Sequence, residues 1–342
     1  MPTKVVTFGE IMLRLSTPGY ERFVQAKQFD VNYGGGEANV AVSLAHFGLD
    51  SCYVTRLPKN DIGDAAENEL RRYGVNTEHV LRGGERLGIY FLETGASQRA
   101  SKVVYDRSHS AIAEVAPGMV NWEKALEGAQ WFHITGITPA LSASAAQATI
   151  EAVTAARKKG ITVSCDLNYR KKLWTREQAE KTMTQVMQNV DVAIANEEDA
   201  EMVFGIKAGE TDVHAGKLDT AKYQSVAEQL MKKFPTLKKV TITLRESLSA
   251  SDNNWSAVLW DGSTFYQSRK YAIRVVDRVG GGDAFGAGLI YSLVSSKAAQ
   301  DALEFAVAAS CLKHTIPGDF NHVSVAEVDA LIKEGGSGRV QR

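Results

Sequence analysis

Two runs of three glycines, Gly34-Gly35-Gly36 and Gly280-Gly281-Gly282, constrain this chain more than any other feature. Each follows an extended stretch and opens an Ala-rich one, Glu37-Ala38-Asn39-Val40-Ala41 in the first case and Asp283-Ala284-Phe285-Gly286-Ala287-Gly288 in the second. Successive glycines admit backbone conformations closed to other residues and bring N–H groups close to a ligand. At a helix start those N–H groups lack intrahelical partners and sit at the positive end of the dipole, so such a turn is a natural anion hole. Asp283 falls at or near the first helical turn, where its carboxylate can cap the helix or face whatever the glycines cradle. Beside an anion hole, a carboxylate makes sense when a hydroxyl must lose its proton while attacking a phosphate held alongside. A tight turn with an N-cap aspartate accounts for the same residues without a ligand.

Neither run fits the commoner nucleotide signatures. A Walker A loop needs Lys-Ser/Thr after its last glycine, and a Gly-x-Gly-x-x-Gly fingerprint belongs in the first βα unit. The 342 residues suffice for one large core with an appendage or two modest domains. A net charge of -1, with 44% hydrophobic and 23% charged residues, describes an ordinary globular protein without the basic excess of a nucleic-acid binder. The N-terminus begins directly with a strand rather than a signal peptide, and no apolar run reaches transmembrane length. Cys52, Cys165 and Cys311 are odd in number and far apart, as reduced thiols in a cytoplasm would be. The seven histidines form no His-x-x-x-His pair, which argues against a dedicated zinc site.

Strands are expected at Lys4 to Gly9, Ser51 to Arg56, Trp131 to Ile134, Thr162 to Cys165, Asp191 to Ala195, Lys239 to Leu244, Ala257 to Trp260 and Phe265 to Ser268. Helical stretches alternate with them, from the Gly36 region to Phe47, Asp64 to Tyr73, Ser142 to Lys159 and Arg176 to Asn189. That order predicts an α/β fold, a doubly wound and mostly parallel sheet with helices on both faces. Ragged alternation over residues 12–33, and again over 87–107, predicts a small β-sheet lid built from two insertions. Residues 1–11, 34–86 and 108–333 then make the main α/β domain, with 334–342 a flexible tail and Thr211 to Thr220 a surface loop. Asp166–Arg170, Asn196–Asp199, Thr243–Arg245 and Gly280–Asp283 all fall at carboxyl ends of strands, where ligands sit in open α/β sheets. Tyr90, Tyr105 and Arg107 lie on the lid, where cross-strand packing and a surface ion pair also account for them.

Asp277 to Gly288 resembles the second signature of the ribokinase-like (PfkB) carbohydrate kinases, usually Asp-Thr-Thr-Gly-Ala-Gly-Asp-Ala-Phe, and Gly34 to Ala41 resembles the first, Gly-Gly-x-x-x-Asn-x-Ala. The resemblance implies ATP and Mg²⁺ as cofactors, with Asp283 as general base and the backbone of Gly280, Gly281 and Gly282 stabilising the transferring phosphoryl group. It implies that Gly34 and Gly35 contact the sugar and that Asn39 orders the loop or reaches a hydroxyl. Asn196-Glu197-Glu198-Asp199 stands where the family has Asn-x-x-Glu, so Asn196 and the shorter Asp199 would place Mg²⁺ through waters. Thr243, Arg245 and Lys313 would lie beside the nucleotide, and Arg170, from Asp-x-Asn-x-Arg, beside substrate and transferred phosphate. Arg278 and Val279 replace the two threonines, while the retained Asp277 admits a monovalent cation next to the loop, as in some relatives.

Gly9-Glu-Ile-Met-Leu-Arg14 carries arginine where kinases of neutral sugars have aspartate. With Arg107 and Arg170, Arg14 would supply cationic forks for a substrate carboxylate. These residues, with Val104-Tyr-Asp-Arg107, Asp166-Leu-Asn-Tyr-Arg-Lys-Lys-Leu-Trp174 and Lys313-His-Thr-Ile-Pro-Gly-Asp319, are similar to the 2-keto-3-deoxygluconate kinases. That resemblance implies phosphorylation of the terminal hydroxyl to give the 6-phosphate, with Gly34, Tyr90, Tyr105, Arg107 and Arg170 holding the sugar acid. A fructokinase or ribokinase would share every catalytic motif, and a non-catalytic sugar-acid sensor would have no need of Asp283. The small molecules are the expected partners, with no nucleic acid or membrane, and the lid is the expected surface for a homo-oligomer.

Overall fold

Apolar residues occupy both parities of the expected strands, so each strand must be covered on two faces. In the computed structural model, which describes residues 2–207 and 220–335, these strands form one nine-stranded sheet. Its parallel part runs, in spatial order, Asp50–Val54, Lys4–Phe8, Ala129–Thr135, Thr162–Asp166, Val192–Asn196 and Lys239–Ser247. Asp252–Trp260 continues antiparallel, and Phe265–Gln267 and Tyr271–Arg274 pair with different parts of it.

Alternate residues feed two cores. Val6, Phe132, Val163, Ala193 and Ile242 pack with helices Ala143–Lys158, Arg176–Met187 and Thr220–Lys233. Val5, Trp131, Val192 and Ile194 pack on the other side with Gly36–His46, Gly281–Val294, Ala299–Lys313 and Val325–Glu334. The fold is therefore the doubly wound α/β sandwich, with sequence neighbours of opposite parity buried in opposite layers.

A separate four-stranded sheet has the order Asp30–Gly34, Met12–Ser16, Gly88–Glu93 and Lys102–Asp106. Its register places Arg14 opposite Tyr90, and Tyr90 opposite Tyr105. The opposite parity, Val31, Leu15, Phe91 and Val104, forms a stripe on the other face, with Val31 61% and Val104 53% exposed.

Three details differ from the sequence expectation. The helix of the second glycine run begins at Gly281, two residues before Asp283, because Gly280 turns the chain at φ +80°. The helix expected from Asp64 begins at Asp61, because the Asn60 side chain accepts from the Gly63 N–H. Asp252–Trp260 starts five residues earlier than its apolar part, and Tyr271–Arg274 adds a strand beside that polar extension. Most of the expected loop at 211–220, and the tail beyond residue 335, lie outside the described residues.

Candidate active site

The carboxyl ends of the parallel strands open into a cavity of about 620 Å³. Asp166, Asn168 and Arg170 line it from one strand end, Asn196 to Asp199 from the next, and Thr243 and Arg245 from a third. Gly280, Gly281, Gly282 and Asp283 form its floor, Gly35 and Asn39 come from the first glycine run, and Tyr90, Tyr105 and Arg107 reach in from the small sheet. Two turns far apart in sequence thus face one space. Asn39 ties them directly: its Oδ1 accepts from the Gly35 N–H at 3.1 Å, and its Nδ2 donates to Asp283 Oδ2 at 2.6 Å.

At the second turn each glycine is used differently. A Cβ on Gly280 would run into the Asp319 carbonyl, and one on Gly281 would overlap the His314 ring. Gly282 has open space above it, which leaves the backbone approachable from the cavity. No side chain caps the helix that starts here; the Gly281 N–H donates to the Arg278 carbonyl at 3.3 Å, and among the described residues the N–H groups of Gly282 and Asp283 remain available to an anion. Asp283 does not cap the helix; it faces the cavity and is held by Asn39. Burial pushes its pKa up to about 6, against the pull of Asn39 and Arg170. A carboxylate with that affinity for a proton is a competent base near neutral pH.

Positive charge on the other walls comes from arginines. Among the described residues the Arg170 side chain makes no hydrogen bond or ion pair, and it lies within electrostatic reach of Asp166, Asp199 and Asp283. Asn168, two residues before it, takes φ +38°, a turn stabilised by its N–H donating to Asp166 Oδ1. Arg107 pairs with buried Glu10, stacks its guanidinium 5.1 Å from the Tyr105 ring centre, and keeps a buried Nε without a partner. Arg245 lies 5.0 Å from the Trp255 ring centre and also has an unpartnered buried Nε. Burial and neighbouring Arg278 together lower its pKa, which marks a wall short of negative charge.

Several expected site residues are already engaged within the fold. Arg14 is not a fork open to substrate: it is 3% exposed, and its guanidinium bonds Asp277 Oδ2 at 2.5 Å, Asp319 Oδ1 at 2.8 Å and the Ser16 hydroxyl at 2.6 Å. Gly34 does not line the cavity; it lies under Asp319, where any side chain would collide. Lys313 also stays outside the cavity wall, fully buried below the second glycine turn. Asn196 and Asp199 cap one another: Asn196 Oδ1 accepts from the N–H of Glu198 and Asp199, while the Asp199 oxygens accept from the N–H of Asn196 and Tyr169. The Thr243 hydroxyl donates to the Ala195 carbonyl at 3.4 Å.

Other residues of the site were not singled out in the sequence. Glu10 accepts from Arg107 and from the Ser110 hydroxyl. Glu37 Oε1 accepts from the Thr135 N–H and hydroxyl and from the Thr138 hydroxyl, fixing the first helix to the strand end. Burial raises the Glu37 pKa to about 7, against the hydrogen bonds from Thr135 and Thr138. Asp319 accepts from Arg14 and, at 2.5 Å, from the Tyr90 hydroxyl, joining the small sheet to the floor. All three stood in quoted stretches, but nothing local marks Glu10, Glu37 or Asp319 as paired residues.

Comparison with known proteins gives consistent matches. The sequence profile described as pfkB family carbohydrate kinase matches residues 2–323. The crystal structure of 2-dehydro-3-deoxygluconokinase from Thermotoga maritima superposes with a TM-score of 0.93 at 52% identity, covering 97% of this chain and 99% of that one. A 2-dehydro-3-deoxygalactonokinase of Haloferax volcanii is 32% identical across 99% of both chains. A 2-dehydro-3-deoxygluconokinase of Thermoproteus tenax is 28% identical over 96% of this chain and 94% of its own.

Proposed function

Because this chain belongs to the pfkB family of carbohydrate kinases, we propose that it transfers the γ-phosphoryl group of ATP to the terminal hydroxyl of 2-keto-3-deoxygluconate, the 2-dehydro-3-deoxy acid, giving 2-keto-3-deoxy-6-phosphogluconate. The observation that carries the sugar-acid reading is the pair of arginines with spare donors, Arg170 and Arg107, facing the same cavity as Asp283. The 52% identity to a gluconate-acting kinase, against 32% to a galactonate-acting one, favours the gluconate acid.

In this reading Asp283 accepts the proton of the attacking hydroxyl, held in line by its hydrogen bond from Asn39. First-turn N–H groups at Gly282 and Asp283, left free where that of Gly281 donates to the Arg278 carbonyl, meet the charge that develops on the phosphoryl oxygens. Arg170 serves the same charge from the opposite wall, and Arg107 takes the substrate carboxylate under the small sheet, with Tyr90 and Tyr105 beside it. The nucleotide lies along Asn196, Thr243 and Arg245 toward the glycine turn.

Family membership implies ATP and a divalent metal, and the carboxylates present fit one. Burial, and then Asp199 and Asp283, raise the Asp166 pKa well above the usual carboxylate range, an excess of negative charge that a divalent ion would relieve. Asp166, Glu198 and Asp199 line the cavity and are the carboxylates placed to hold a hydrated Mg²⁺, Asp199 with each oxygen already accepting one backbone N–H. When bound, the ion supplies neutralisation of phosphate charge. Residues 12–33 and 87–107 act in this account as a lid that excludes water, and a second copy covers its outer stripe of Val31, Leu15, Phe91 and Val104. Among the described residues no helix is long and apolar enough to cross a membrane.

Arg107→Met tests the carboxylate assignment. The KM for the keto-deoxy acid should rise about 10- to 100-fold, the worth of a charge-assisted hydrogen bond, while residual turnover of fructose stays unchanged. A parallel loss on both substrates would mean that Arg107 serves only to neutralise Glu10, and an unchanged KM would remove it from the substrate site.

A further inference from the structure

Lys313 is the last residue of helix Ala299–Lys313 and has no exposed surface. A buried ammonium requires compensating partners, and here they are backbone oxygens. Its Nζ donates to the Ile316 carbonyl at 3.2 Å and to the Asp277 carbonyl at 3.4 Å. One carbonyl belongs to Asp277, separated from Gly280 by Arg278 and Val279, and the other lies in the turn that follows the helix. The Asp277 carboxylate closes the same knot: Oδ1 accepts from the Val279 N–H at 3.0 Å, and Oδ2 accepts from the Gly318 N–H at 3.0 Å and from Arg14. Gly280, whose backbone the anion hole depends on, packs against the Asp319 carbonyl and the Lys313 side chain, whose Cε lies 3.3 Å from where its Cβ would stand.

Converging carbonyls beside a phosphate-binding turn are the donor set of a desolvated monovalent cation. In this chain they already hold one. Arg14 and Lys313 balance Asp277 and Asp319 within the buried group, so an added K⁺ would leave uncompensated positive charge away from water. Burial lowers the Lys313 pKa, and the two carboxylates work to restore it. The donors therefore do not fit a monovalent metal.

We infer that Lys313 is a built-in monovalent cation, whose ammonium holds the two turns in register and makes the phosphate site independent of K⁺. The turnover part of this inference rests on the kinase reading; the melting part does not. In salts of K⁺, Na⁺ or tetramethylammonium at equal ionic strength, wild-type turnover and Tm should agree. Lys313→Ala should lose about 10- to 100-fold in kcat, as when one fixed charge is removed from a phosphoryl site. Tens of millimolar K⁺ or NH₄⁺ should restore most of it, and K⁺ should raise the Tm of the variant but not of wild type. The inference is overturned if wild type responds to K⁺ in either readout, if Lys313→Ala behaves as wild type, or if K⁺ fails to rescue a folded, impaired variant. Where the variant does not fold, the wild-type comparison decides alone. If no sugar is phosphorylated, the kinase reading fails while the melting arm still reports on the cation.

Discussion

Asp283→Asn is expected to lower kcat by about 10²- to 10⁴-fold, the range for loss of a positioned general base, with little change in KM for ATP or sugar acid. The amide keeps the shape of the side chain and can still contact Asn39, so binding survives while proton acceptance does not. The same residue sets the acid limb of the wild-type profile. Protonated Asp283 cannot accept the hydroxyl proton, so kcat/KM should fall as pH drops through about 6 and level off above it. Stability should move the opposite way. Burial raises this pKa from the ordinary 3.8 to about 6, so the folded state holds the proton more tightly than the unfolded chain. Its stabilising contribution is complete below pH 3.8 and is lost as pH rises through 6. The Asn variant escapes that loss and should be more stable than wild type at pH 8, by about 1–3 kcal/mol, yet no more stable at pH 3.5. Denaturation at the two pH values, with Michaelis kinetics at pH 8, checks both. An Asn variant with near-normal kcat would remove Asp283 from its assigned role.

Arg14→Met should act mainly on stability. Removing the guanidinium leaves Asp277 and Asp319 buried, 8% and 3% exposed, without their shared cation. Breaking such a pair costs about 3–5 kcal/mol, visible as a large drop in the urea midpoint. Adding Asp319→Asn should recover part of the loss, since the double variant no longer buries that charge. A substrate-binding Arg14 would give the contrary pattern, an unchanged midpoint and a raised KM for the sugar acid. The kinetic loss that does accompany Arg14→Met should be in kcat, because Asp277 anchors Val279 at the entrance to the glycine turn.

What could be read from the sequence follows from how local each cause is. The glycine runs, the aspartate after the second, and the polar strand ends each carry their chemistry within a few residues, and they meet in one cavity. The site's long-range ties carry no such mark. Asn39 reaches Asp283 across 244 positions, and Arg14 reaches Asp319 across 305. Without those partners, an arginine near the first strand end reads as a free cation, although the fold has already neutralised it. Asp199 has a tie of the same kind: one of its oxygens accepts from the N–H of Tyr169, 30 positions away, and the other from the N–H of Asn196. The polar start of Asp252–Trp260 is a strand only because Arg245 to Ser247 and Tyr271–Arg274 pair with it on either side.

The central claim is a choice of acceptor, and ATP-dependent phosphorylation with Mg²⁺ across 2-keto-3-deoxygluconate, its galactonate epimer, fructose and ribose tests it most directly. The keto-deoxy acids should exceed the neutral sugars in kcat/KM by at least about 100-fold, because fixed arginines left without a carboxylate penalise the neutral sugar. Preference for fructose or ribose would contradict the assignment of Arg107 and Arg170 to an acidic substrate.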